Sequence, residues 1–339
     1  MRVLVLGGAG YIGSVLCPYL RQRKDFVIVY DKFLYGSTKD KVEADLVIYG
    51  DICDAKKVKA AISQADVVVN LAAISNDPAA DLDPRLTWDI NFKANEKIAQ
   101  FCRQANVRVI FASSCSVYGF SENEIFSENS QLYPVTLYAV TKMLSEKLYQ
   151  EKDLDAVIFR LATVYGHSPK PRFDLVVNTM IGTSYFDGQL VVNGGDQWRP
   201  VVHVKDVAQA IYLAIHAKKF KHRIYNVGSN DQNFQIAELA KVICTYLPAV
   251  KLVHAAKNVD VRSYKVDFKK IQKDFNFKTK FTVGVAVKEI NTTFITKEII
   301  NLEEDEYYRV KYLKKRLSHN IFKRQLEERY LRYMLTKQI

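Results

Sequence analysis

The sequence predicts an α/β protein, a doubly wound parallel sheet carrying a smaller, interleaved C-terminal α/β lobe. Three observations predict it. Short apolar runs alternate with helix-length stretches through the first half of the chain, the pattern of parallel strands covered by helices on both faces. A glycine-rich turn joins the first run to the first helical stretch. After Gly166 the alternation breaks up with no linker-like composition, so the second lobe is expected to weave into the first. The 339 residues suit this, because single cores stop growing at roughly 250–300 residues.

The elements follow in order. Residues 2–6 (RVLVL) read as a strand and 11–22 as a helix. Strands are expected at 26–30 (FVIVY) and, more weakly, at 45–49 (DLVIY), with a helix at 54–63. The run 66–71 (DVVVNL) is a strand, 89–104 a helix, 107–112 (VRVIFA) a strand, 136–150 a helix and 155–160 (DAVIFR) a strand. Their β-branched content and length favour strands over buried helix fragments. Residues 167–200 mix Pro, Gly and short pieces, then 204–217 reads as helix, 222–227 as strand and 233–247 as helix. The expected division is 1–166, mainly a nucleotide-binding domain; 167–296, mainly a second lobe; and 297–339, a basic helical extension.

Composition excludes several classes. Apolar residues make up 48% and charged residues 25%, ordinary globular usage that rules out a disordered or fibrous chain. No run of 18 apolar residues is present to span a bilayer. The five cysteines (17, 53, 102, 115, 244) are scattered and form no CxxC pair. No disulfide framework or metal site is therefore expected, and the chain suits a reducing, cytoplasmic setting. The basic surplus is concentrated in the tail, where residues 309–339 carry ten Lys or Arg against Glu327 and Glu328. Val310, Leu313, Leu317 and Ile321, then Leu326, Tyr330 and Met334, recur at helical spacing. The favoured reading is a helix packed on its own subunit or a partner subunit. Peripheral membrane contact through Lys314, Lys315, Arg316, Lys323 and Arg324 is a lesser alternative. No nucleic-acid binding is expected, since no recognised module accompanies the charge.

Gly7-Gly8-Ala9-Gly10-Tyr11-Ile12-Gly13 has a strand before it and a helix after it. Gly7, Gly10 and Gly13 allow a tight turn and close approach of a diphosphate to the helix N-terminus. Asp31, at the end of the second strand, is placed to accept hydrogen bonds from adenosine ribose hydroxyls and to repel a 2′-phosphate. NAD is thus favoured over NADP; the bland alternative is a turn aspartate. Asp51 and Ile52 are candidates for the adenine amino group and ring face, although Asp after Gly50 is also an ordinary turn. Leu71, Ala72 and Ala73 let the chain pass close beside the cofactor.

Tyr138 and Lys142 share one helix face at the i, i+4 spacing. Alone that is a common surface pair. Ser113-Ser114-Cys115-Ser116-Val117-Tyr118-Gly119 ends the preceding strand on the same rim as the glycine loop. Ser114, Tyr138 and Lys142 would then meet beside the nicotinamide. Tyrosine would exchange the proton of a substrate hydroxyl, serine would orient it, and lysine would stabilise the phenolate and hold the ribose.

With these motifs the chain resembles the extended short-chain dehydrogenase/reductase family, in its NAD-dependent sugar-nucleotide epimerase/dehydratase branch. The resemblance covers about 1–296 and includes Asn91 and the segment Arg160 to Gly166. It implies a Rossmann-like nucleotide-binding domain, a smaller lobe for a nucleotide-diphosphate sugar, and a homodimer built on helices near 89–104 and 136–150. Asn91 falls among the cofactor-binding positions. Asn178, Arg199 and Arg262 fall at positions that meet the substrate diphosphate. An arginine fork suits phosphate independently of the resemblance, and the alternative for Arg199 is a cation–π pair with Trp198.

The family's 4,6-dehydratases carry Thr-Asp-Glu where this chain has Ser114-Cys115-Ser116, and neither Cys115 nor Ser116 replaces a carboxylic acid. The leading expectation is therefore epimerisation at C4 through a transient 4-keto sugar. A C4 dehydrogenase or reductase could use the same Ser/Tyr/Lys set. Less favoured are a 3,5-epimerase using Cys115 and His167, a 4,6-dehydratase and a non-catalytic NAD-binding scaffold. Asn76-Asp77-Pro78 and Trp198 depart from the commonest pattern and point to a sugar other than plain glucose or galactose.

Overall fold

The computed structural model describes residues 1–36, 42–121, 124–255 and 263–318. Seven parallel strands form the central sheet: β1 (Arg2–Leu6), β2 (Phe26–Asp31), β3 (Leu46–Tyr49), β4 (Val67–Asn70), β5 (Arg108–Ser114), β6 (Ala156–Leu161) and β7 (Ile224–Val227). Their order is β7-β6-β5-β4-β1-β2-β3. The chain runs outward from β1 to β3, then crosses to β4 on the other side. That reversal beside β1 is the switch point at which open α/β sheets bind ligands. Leu6 is level with both Tyr30 and Asn70, and Ser114 with Leu161, so the segments leaving these strands emerge on one rim.

Side-chain alternation explains the layers. Val3 and Val5 face a core shared with α1 (Gly13–Arg21) and the helix Val204–His216. Leu4 and Leu6 face the opposite core with α2 (Ala55–Ile62) and α3 (Ala94–Ala105). Both faces are covered, so β1 is apolar at every position after Arg2. Helix α4 (Leu137–Tyr149) starts at Thr136, whose hydroxyl accepts the Ala139 N–H at 3.1 Å.

The second lobe is built on a three-stranded sheet, with Trp198–His203 between Thr163–Tyr165 and Asn233–Gln235. Helices Val176–Asp187, Ile236–Tyr246 and Val283–Ile295 pack around Phe173, Val177, Leu190, Val201, Leu239 and Val287. The chain crosses between the lobes more than once. β7 joins the central sheet from residue 224 onward, and Ile125–Phe126 pairs with Lys265–Val266.

The helix expected from 89 begins earlier, in an unbroken helical run from Pro84, and the one expected from 233 begins later. Residues 89–93 form a π-helical turn ahead of α3. Residues 233–235 are a strand paired with Trp198–Pro200, and the following helix opens on a capping box between Gln235 and Glu238. Residues 309–318 are helical, with Leu313 buried and Val310 and Leu317 packed on the same core as α3. This part of the tail covers its own subunit, while Lys314, Lys315 and Arg316 stay exposed. Ile321, Lys323, Arg324, Leu326, Tyr330 and Met334 lie outside the described residues. Among the described residues, no helix is long and apolar enough to cross a membrane.

Candidate active site

A cavity of about 750 Å³ opens along the rim of the sheet and reaches into the second lobe. Its floor is the glycine turn. Gly7 has φ +78°, and a Cβ there would lie 2.8 Å from the Ala72 Cα, so a side chain would block the passage of the Leu71-Ala72-Ala73 segment. Ile12, the N-cap of helix α1, makes no side-chain cap, and Ile12 and Gly13 line the cavity at this helix N-terminus. Gly7, Gly10, Tyr11, Ile12, Gly13, Asp31, Asp51, Ile52, Leu71, Ala72 and Ala73 all line it.

Asp31 is held by its own loop. One carboxylate oxygen accepts the Ala9 N–H at 2.9 Å and the other the Phe33 N–H at 2.7 Å. Burial pushes its carboxyl above the ordinary range, with those N–H donors and the Arg309 charge opposing. At Asp51, burial is outweighed by Lys32 Nζ at 2.5 Å and the Cys53 N–H at 2.9 Å, which hold the carboxyl below its usual value. Lys32, the residue after Asp31, is thereby turned onto Asp51. An open helix N-terminus, a turn that a Cβ would fill and a carboxylate at the second strand end together fit a dinucleotide.

At the other end of the cavity Ser114 and Tyr138 both line it, with the Ser114 hydroxyl beside the phenol. Burial raises the Tyr138 phenol well above its usual value. The Asp77 charge adds to this, while the neighbouring Ser114 hydroxyl and the Arg172 charge oppose it. Asp77 accepts the Thr136 hydroxyl at 2.5 Å, at the cap of the helix that carries Tyr138. Lys142 sits one turn behind, buried, with Nζ donating to the Ala112 carbonyl at 2.6 Å. Burial lowers it to about 8, and Glu146 opposes that shift. Ser116 also lines the cavity, and its buried hydroxyl has no hydrogen-bond partner among the described residues.

Other expected site residues stand behind the cavity wall. The Asn91 amide is spent on the Ile74 backbone, accepting its N–H at 2.8 Å and donating to its carbonyl at 3.1 Å. It braces the chain beyond Ala73. Asn178 accepts the Gly166 N–H at 2.9 Å and donates to the Tyr11 hydroxyl and the Arg172 carbonyl. With Tyr11 donating to the Gly166 carbonyl at 2.7 Å, it clips the glycine loop to the second lobe. Arg199 does line the cavity, 7% exposed, but its guanidinium stands over the Tyr264 ring, and Lys265 covers Trp198. Arg262 lies outside the described residues. Cys115 is buried and turned to the Arg160 carbonyl, and neither it nor His167 lines the cavity.

Two of the arginines that line the cavity were not among the expected site residues. Arg172 grips Asp174 through two nitrogens at 2.9 Å each and reaches Ser75 Oγ at 3.3 Å. Its place six residues before Asn178, a residue expected on the diphosphate, was the available signal. Arg309 comes from the tail and had none.

The model of the NAD-dependent epimerase/dehydratase family matches residues 3–228. The chain is 30% identical over 255 residues to the UDP-N-acetyl-alpha-D-glucosaminuronate decarboxylase of Bacillus cytotoxicus, covering 71% of this chain and 79% of that one. It is likewise 30% identical over 270 residues to the UDP-glucose 4-epimerase of Lactobacillus helveticus, covering 72% and 82%. Among solved structures it is similar to MoeE5 in complex with UDP-glucuronic acid and NAD, with a TM-score of 0.75 and 26% identity over 87% of this chain and all of that one. With its dinucleotide cradle and its Ser114–Tyr138 pair on one rim, this chain belongs to the NAD-dependent epimerase/dehydratase family.

Proposed function

We propose that the protein interconverts C4 epimers of a nucleotide-diphosphate sugar through a transient 4-keto sugar. The observation that carries this reading is the Ser114–Tyr138 pair, which faces the cavity without a carboxyl group at positions 115 and 116. NAD supplies the reversible oxidant that takes C4 to the ketone level and back. Tyr138 takes the proton of the C4 hydroxyl and later returns it, so it must act as phenolate and phenol in turn. Ser114 donates to the same substrate oxygen and orients it. Lys142 offers positive charge behind the phenol and a donor for the nicotinamide ribose.

Arg199 and Arg262 are assigned to the substrate diphosphate, and Asn178 acts on it only through the loop it holds. A homodimer built on the helices near 89–104 and 136–150 belongs to the same proposal and is read by analytical ultracentrifugation.

A panel of UDP-, dTDP-, CDP- and GDP-linked sugars, uronic acids included, tests the reaction by mass spectrometry and proton NMR. An epimer keeps the substrate mass with no net consumption of NAD. Loss of water, of two hydrogens or of carbon dioxide would each replace the epimerase reading with another reaction. Run in deuterated solvent, C4 inversion leaves the sugar carbons unlabelled, whereas label at C3 or C5 would bring Cys115 and His167 back.

A further inference from the structure

The segment after the helix Val283–Ile295 lies beyond the residues matched by the family model, yet it folds over the adenosine end of the cavity. Three contacts hold it there. Tyr307 accepts the Phe173 N–H through its carbonyl at 3.0 Å, Glu306 meets Lys170 Nζ at 2.5 Å, and the Arg309 N–H donates to Asp174 at 3.3 Å. Glu306 also presses on the loop after β2, since a Cβ on Gly36 would lie 2.5 Å from its carboxylate. Leu313 then anchors the helix that follows in the core.

This docking puts Arg309 into the cavity wall. It is 3% exposed, and its guanidinium stands 4.1 Å from the centre of the Tyr35 ring. Among the described residues its side chain makes a single hydrogen bond, to the Glu306 carbonyl at a long 3.5 Å. The nearby carboxylates are already engaged. Asp174 is held by the Arg172 fork and by Asn76, and both oxygens of Asp31 accept loop N–H groups. Burial, and the like charge of Arg172, push the guanidinium down to about 10. A desolvated fork with spare donors, facing a cavity, calls for an anion. The anionic part of a dinucleotide cradled by the glycine turn is its diphosphate.

We infer that Arg309 is a phosphate-binding residue, carried by the C-terminal segment to the diphosphate of the dinucleotide, so that this segment forms part of the cofactor site. The inference needs only the dinucleotide, not the sugar or its reaction. Its test is titration of the purified full chain with NAD, ADP, adenosine and 2′-AMP, with melting curves taken with and without NAD. Arg309→Gln should weaken NAD and ADP about tenfold or more and leave adenosine unchanged, with Arg309→Lys recovering part of the loss. The ligand-free melting temperature should hold or rise, because an under-paired buried cation has been removed, while the rise produced by NAD shrinks. Equal losses for adenosine and ADP would overturn the assignment, as would a loss confined to 2′-AMP. So would a lower ligand-free melting temperature with unchanged NAD affinity, which is the signature of packing alone.

Discussion

Lys142 Nζ donates to the Ala112 carbonyl at 2.6 Å while standing 5.8 Å from the centre of the Tyr138 ring. The two side chains of the YxxxK pair are thus adjacent but not bonded, and the ammonium is anchored to the end of β5. Tyr138 instead has the Ser114 hydroxyl as its neighbour on the cavity wall. In the proposed reaction lysine would therefore act on tyrosine through space rather than through a direct hydrogen bond.

The first prediction concerns Lys142 and pH. Its folded value is lowered from 10.5 to about 8 by burial. Between those values the unfolded chain holds a proton that the folded chain has lost, so this group's contribution to stability rises with pH across the window and is constant below it. Urea titrations from pH 7 to 10.5 should show that rise in the native protein and a flatter profile in Lys142→Met. Parallel profiles would mean that Lys142 is fully protonated in the fold throughout.

Asp77 sets the second. Its negative charge raises the Tyr138 phenol. Asp77→Asn keeps a partner for the Thr136 hydroxyl but removes the charge, so the phenolate should form more readily. The acid limb of the kcat/KM profile should move to lower pH. An acid limb that stays in place or moves upward would separate Asp77 from the base.

The third is cofactor choice. Asp31 carries its carboxylate at the end of β2, braced by the Ala9 and Phe33 N–H groups. Asp31→Ala should weaken NAD by about ten- to hundredfold and reduce discrimination against NADP. Titration of both cofactors against native and variant protein reads both effects. Unchanged relative affinities would take Asp31 out of the ribose site.

The fourth is structural. Glu146 and Arg160 form a buried pair at 2.6 Å, with side chains 1% and 3% exposed, and Ser113 donates to the same carboxylate at 2.5 Å. Glu146→Gln leaves Arg160 as an uncompensated buried charge and should cost about 3–5 kcal/mol. Denaturant unfolding should show the lower midpoint with an unchanged slope. A loss below about 1 kcal/mol would mean that water reaches the pair.

Much of the cavity was legible in the linear order of residues because its parts leave parallel strands at one rim. A strand written as RVLVL and followed by Gly7 has little choice about where its end points once the neighbouring strands pair in register. The same holds for Asp31 after β2, Leu71 to Ala73 after β4 and Ser114 at the end of β5. Tyr138 follows because helix α4 packs beside β5. Asn91 and Asn178 show where this reasoning stops. Both were expected on ligands, but a buried amide must satisfy its own donors and acceptors, and here backbone groups of Ile74, Gly166 and Arg172 do so.

The sequence by itself determined the sheet order's consequence, a glycine turn, an acid and a Ser/Tyr/Lys set on one edge, because each depends on local pattern and on the direction of parallel strands. Only the tertiary structure decided that Arg172 reaches Ser75 and that Arg309 stands beside Tyr35. Those pairs join segments with no shared periodicity, and their positions depend on how the second lobe and the tail close over the rim. A charge in a basic tail looks solvated until packing removes its water. Here Leu313 supplies the burial that holds the tail helix down, and Arg309, one turn earlier, is carried into the cofactor cavity.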